Sequence, residues 1–162
     1  MTPLPAGPGQ ESVWDYPRPP ALDESDELVE IRFGGVLVAS SRATVRVLET
    51  SHPPTYYLPL EAFSDGVLVP VDGSSVCEWK GRAAYFDVVA GGRRAARAAW
   101  RYPEPVAAYA RLRDMVAVMP GEMDVCTVDG EVVRPQEGGF YGGWVTDRVV
   151  GPFKGGPGSW GW

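Results

Sequence analysis

Between residues 28 and 134, apolar and polar positions alternate in short runs that glycine, proline and Asp-Gly pairs interrupt. That patterning predicts strands, because successive side chains along a strand point to opposite faces. Residues 28–33 and 36–39 flank Gly34-Gly35, and residues 84–89 and 94–100 flank Gly91-Gly92. Both read as hairpins, since paired glycines supply the positive φ that tight hairpin turns need. The alanine-rich residues 94–100 would be helical on propensity alone, but their place just past a two-glycine turn favours a strand. Residues 44–49 have period two, which sends Val45 and Val47 to one face and Arg46 to the other. Further strands are predicted at Tyr56-Tyr57-Leu58, at Val67-Leu68-Val69 after the Asp65-Gly66 turn, at residues 115–118, and at residues 125–128 and 132–133 across Asp129-Gly130. One short helix is predicted over residues 105–113, with Pro105 in its first turn and Val106, Tyr109 and Leu112 on one face. The pattern is that of a small, mainly β domain.

The two ends read differently. Six prolines crowd the first 20 residues, yet Trp14 and Tyr16 are large aromatics of a kind that disordered arms lack. Residues 1–27 are therefore expected to be an arm packed along the domain, with Asp23-Glu24-Ser25-Asp26-Glu27 a solvated linker before the first strand. Residues 135–162 hold nine glycines and three tryptophans, an irregular tail expected to dock.

Composition narrows the classes. At 162 residues the chain is one domain, able to bury a core without disulfide or metal. A net charge of −6 argues against a nucleic-acid or anionic membrane partner. No apolar run approaches the roughly 18 residues of a membrane span, and the N-terminus lacks a secretory pattern, so a cytoplasmic location is expected. There a disulfide between Cys77 and Cys126 is not expected. With His52 the one histidine, a four-ligand Cys/His zinc site would need carboxylates. No metal and no cofactor is predicted.

The candidate chemistry centres on Cys77-Glu78-Trp79-Lys80-Gly81. The chain has 2 cysteines and 2 lysines against 13 arginines, and one of each rare type falls here. Cys77 is a nucleophile if a nearby ammonium lowers its pKa, and a small core hydrophobe otherwise. Strand alternation puts Cys77 and Trp79 on one face and Glu78 and Lys80 on the other, so thiol and amine meet only if Gly81 marks a bend. Lys80 can bind an anion or pair with Glu78. His52, stiffened by the Pro53-Pro54 that follows, can act as base, donor or structural histidine. Tyr57, Trp79, Tyr85, Trp100 and Tyr102 can line a pocket between the sheets or simply fill the core.

Three blocks carry a resemblance: residues 49–59 (Glu-Thr-Ser-His-Pro-Pro-Thr-Tyr-Tyr-Leu-Pro), residues 77–85 (Cys-Glu-Trp-Lys-Gly-Arg-Ala-Ala-Tyr) and residues 98–103 (Ala-Ala-Trp-Arg-Tyr-Pro). In this order they resemble the bacterial "domain of unknown function 427" family over about residues 28–134. The glycine-rich end looks like an extension that some members share. The resemblance implies a β-tent-like (Mss4-like) pair of small antiparallel sheets with one short helix. Relatives of that architecture bind zinc through paired Cys-x-x-Cys knuckles, which this chain lacks. The family is sometimes labelled nucleotidyltransferase-like, but no Asp-x-Asp lies on a predicted strand, and Lys154-Gly155-Gly156-Pro157-Gly158 lacks the order of a phosphate loop. The expected function is binding of a small ligand, anionic ones included, in a cleft lined by Tyr57, Trp79, Tyr85, Trp100 and Tyr102 with His52, Cys77 and Lys80 as polar groups. One alternative is an enzyme using Cys77 with His52 or Lys80. Another is an interaction module whose Trp144, Trp160 and Trp162 dock a partner or a second copy in a homodimer.

Overall fold

The computed structural model describes residues 1–77 and 79–162; the expected Glu78–Lys80 pair lies outside the described residues. The first strands are β1 (Glu11–Ser12), β2 (Ala21–Ser25), β3 (Val29–Phe33), β4 (Val36–Ser41), β5 (Thr44–Leu48) and β6 (Thr55–Pro59). They are followed by β7 (Leu68–Cys77), β8 (Gly81–Ala90), β9 (Arg93–Arg101), β10 (Met115–Val118) and β11 (Val125–Val128). The chain ends through β12 (Glu131–Val132), β13 (Arg134–Pro135), β14 (Trp144–Val145) and β15 (Val149–Val150). A seven-stranded antiparallel sheet runs β2-β5-β6-β10-β9-β8-β7 and a four-stranded one β12-β11-β3-β4. The protein is thus mainly β, and its larger sheet exceeds the small pair expected. The predicted helix forms only 3₁₀ turns at Ala107–Leu112, kinked at Tyr109.

The predicted glycine hairpins form, and their tips meet. Gly34, Gly35, Gly91 and Gly92 all have positive φ. A Cβ on Gly34 would lie 2.1 Å from the Ala90 carbonyl oxygen, and one on Gly91 would lie 1.9 Å from that of Gly34. Only glycine permits so close an approach of backbone to backbone.

Alternation along the large sheet divides its side chains between two clusters. Tyr56 and Leu58 of β6, Val116 and Val118 of β10, and Phe86 and Val88 of β8 pack with β3 and β11 in the main core between the sheets. Tyr57, Met115, Ala117 and Tyr102 form a second cluster on the opposite face. Trp144 is fully buried in the main core, stacked on Tyr56 with ring centroids 5.0 Å apart. It belongs to the interior and is not a docking residue.

One expectation fails here. Residues 21–25 are a strand, not a solvated linker, and Asp23 stands opposite Arg46 on β5. Arg46, on the face opposite Val45 and Val47, is 1% exposed, because acids from distant segments come to it. Its guanidinium donates to Glu11 at 2.9 Å and to Asp23 at 2.6 Å. Arg148 of the tail joins the same cluster, donating to Glu11 and Glu27, while Tyr16 and Tyr56 donate to those two carboxylates. β1 pairs in parallel with β15 alongside. Arm and tail are thereby tied to each other and to the large sheet.

Candidate ligand-binding cleft

A cavity of about 610 Å³ opens on the face of the large sheet that bears the second cluster. It does not lie between the sheets, where large side chains fill the space. Its floor is aromatic: Tyr57 of β6, Trp100 and Tyr102, which meet the cavity from β9 and just beyond it, and Tyr85 of β8. The Trp100 indole N–H donates to the Tyr57 hydroxyl at 3.1 Å. Burial, the largest influence on Tyr57, raises its hydroxyl pKa and keeps it neutral. Tyr85 shares a 2.6 Å hydrogen bond with Ser75 of β7.

His52, Cys77 and Lys80 all reach this one cavity, although Cys77 and Lys80 were assigned to opposite faces. Alternation fails as a guide because β7 ends at Cys77 and the chain turns before β8 begins at Gly81, whose φ is +116°. Trp79 is the expected lining residue that does not line the cavity; it packs against the Tyr57–Tyr102 cluster. Cys126 is core, its thiol pushed up to about 12 by burial, and both cysteines are free.

Lys80 is 9% exposed, and among the described residues it has no ion-pair partner. Its ammonium lies 5.8 Å from the centroid of the Tyr102 ring. Two further cations line the cavity in the same way. Arg97 stacks on Tyr85 at 4.3 Å, and Lys154 sits over Tyr141 at 5.8 Å. Cation–π contact lets a charge rest against an apolar wall at modest desolvation cost. The strand pattern does not single out Arg97, and Lys154 enters it only beside a glycine run that lacks the order of a phosphate loop. For Lys154 the signal was present, since it is the other lysine in an arginine-rich chain.

The tail forms the roof. Phe140, Tyr141 and Gly142 line the cavity from above, and a Cβ on Gly142 would lie 2.4 Å from the Trp100 ring. Gln136 latches this segment. Its carbonyl oxygen accepts from the Gly143 N–H, and its amide nitrogen donates to the Lys154 carbonyl oxygen at 2.7 Å. The amide orientation follows, so the same nitrogen, 3.1 Å from Nδ1 of His52, donates to it. The neutral ring then carries its proton on Nε2, which lies 3.7 Å from Glu49. Nδ1 is thus engaged by the segment that forms the roof, and His52 helps to latch it.

Burial lowers the His52 pKa, with Lys154 and Arg18 adding to the effect and Glu49 opposing it. Between the lowered value and the ordinary one of about 6.5 the unfolded chain binds more protons than the folded one, so stability rises with pH there. The contribution is fully present above about pH 6.5 and is lost as pH falls through the folded value. The thermal midpoint of the wild type should therefore fall more steeply from pH 7 to pH 5 than that of His52→Gln. Equal slopes would mean that the latch carries no proton linkage.

Among the described residues no cluster of three or more His, Cys, Asp or Glu gathers as metal ligands. Nor is any helix among them long and apolar enough to cross a membrane. A family model described as "Domain of unknown function (DUF427)" matches residues 21–129, about two-thirds of the chain. No curated protein matches. The chain belongs to the DUF427 family, which carries a nucleotidyltransferase-like label.

Proposed function

We propose that this member of a family of unknown function binds a small anionic ligand in the roofed aromatic cleft. The observation that carries the reading is Lys80. Lys80 is nine-tenths buried and pairs with no carboxylate among the described residues, which is costly for a folded protein unless something else answers the charge. Charge around the cavity points the same way. Among the described residues, Lys80, Arg97 and Lys154 line the cavity with one carboxylate, Glu49, and His52 is neutral. A cavity of about 610 Å³ with aromatic walls and few polar handles has the size and make-up of small-molecule sites. One carboxylate among the described lining residues fits poorly with metal-assisted nucleotidyl transfer, which uses two or more. Cys77 faces the cavity too, but Nδ1 of His52 is already taken by Gln136.

Lys80→Met tests this. The substitution keeps the stem and removes the charge. It should abolish the thermal shift that small aromatic acids produce in the wild type, and leave the unliganded midpoint equal or higher, since a buried functional charge costs stability. A large loss of unliganded stability would make Lys80 a structural residue and sink the reading.

A further inference from the structure

We propose that Arg97 recognises the head of the cleft's ligand, and that this head is an oxyanion, a carboxylate or a phosphate, carried on a planar aromatic body. The proposal rests on the cleft reading above and names the ligand class for it. It comes from a defect that crosses three strands at one level. On β7, Asp72 and Gly73 are extra residues between the pairs Val71–Tyr85 and Ser74–Ala84. On the next two strands the pairing breaks again between Phe86–Ala99 and Val88–Ala95, leaving Asp87 on β8 opposite three residues of β9. Arg97 is the middle one of those three, and its φ is +52°.

Each irregularity serves Arg97. The carbonyl oxygen of Asp72 accepts from Nη1 of its guanidinium at 2.9 Å. Gly73 leaves room for the same group, since a Cβ there would lie 2.9 Å from Nη1. Asp87 accepts the Arg97 backbone N–H at 2.8 Å and also pairs with Arg94. Those two contacts, the Arg97 amide first, hold the Asp87 carboxyl below the ordinary carboxylate range, so it stays an acceptor. Tyr85 supports the flat face of the guanidinium from below. A left-handed backbone is unfavourable for arginine and persists only where its surroundings impose it. Bulges commonly serve to re-aim a side chain, and here they turn an arginine of a regular hairpin onto the wall of a cavity. Held this way, a guanidinium offers a planar fork matched to the paired oxygens of a carboxylate or phosphate. Trp100 and Tyr102 beside it provide flat apolar surface for the ligand's body. Asp87 is a positioning residue.

Calorimetric titration with 2-naphthoate, 2-naphthyl phosphate and neutral 2-naphthamide tests the assignment. The wild type should bind at least one of the two anions and leave the amide unbound; tighter binding of one identifies the head. Arg97→Lys keeps the charge but loses the fork, and should weaken the preferred anion by roughly 10- to 100-fold, the worth of a charge-assisted hydrogen bond. Arg97→Gly should weaken it at least as much. Glycine takes a φ of +52° without strain, so the unliganded thermal midpoint of this variant should hold, which separates lost recognition from lost folding. Anion binding within twofold of wild type in both variants overturns the role of Arg97 and leaves the cleft reading standing. Equal binding of amide and acids overturns the oxyanion head. Failure of the wild type to bind either anion removes both this proposal and the cleft reading.

Discussion

Trp144→Ala is expected to destabilise the protein by about 3–5 kcal/mol, the usual cost of emptying a large aromatic site in a core. Trp144 comes from the glycine-rich tail, yet it is fully buried against Tyr56. Its backbone N–H donates to the Pro54 carbonyl oxygen at 2.7 Å, which seats the tail on the same loop that carries His52. The tryptophan is the anchor from which the roof is built. Its loss should therefore lower the urea midpoint and remove ligand binding together, and Trp144→Phe, which keeps most of the apolar volume, should fall between. A midpoint within about 1 kcal/mol of wild type, after so large a truncation, would mean the tail is not part of the folding unit.

Arg46→Ala should cost about 2–3 kcal/mol, because it empties a buried site and takes charge-assisted hydrogen bonds from the part-exposed Glu11 and Asp23. Arg46 is the buried hub, and Glu11, Asp23, Glu27 and Arg148 surround it from the arm, the sheet and the tail. The variant should also change the acid limb of the stability curve. Burial by itself would raise the Glu11 carboxyl, but hydrogen bonds from Arg46 and Tyr16, and the charges of Arg46 and Arg148, outweigh it and bring the value down to about 2. A depressed carboxylate lends stability above its ordinary pKa, near 4.3, and withdraws it as pH falls toward the folded value. In Arg46→Ala that loss between pH 5 and pH 2 should be shallower. Arg46→Met, which refills the space without the charge, should recover part of the stability and none of the acid slope. An unchanged acid limb in both variants would mean that Glu11 owes its shift to Arg148 and Tyr16.

The parts of this molecule that could be read from residue order are those whose causes are local. Gly34-Gly35, Gly91-Gly92 and Asp129-Gly130 announce their turns because positive φ is a property of the residues themselves, and all three form. The burial of Arg46 could not be read, because period two describes one strand and says nothing of which acids will arrive from residues 11 and 23. That Cys77 and Lys80 line one cavity was obscured by extending alternation beyond the end of β7. Arg97 was hidden for a related reason. Its direction depends on bulges in its own strand β9 and in β7, and only Asp72-Gly73, set within what becomes one ten-residue strand, hinted at them. His52 stands out in residue order as the one histidine, but what its ring bonds to depends on Gln136, a residue 84 positions away.

The cleft is assembled from two pieces of chain with different reach. Tyr57, Cys77, Lys80, Arg97 and Trp100 fall within residues 21–129, the span that the family model describes, whereas Gln136, Tyr141, Gly142 and Lys154 fall beyond it. A protein built on the shared span alone would present the same charged, aromatic floor as an open shelf. Floor and roof can therefore diverge independently: the head group a protein accepts would be inherited with the sheet, while the tail would set how large a molecule fits above it and how quickly it leaves.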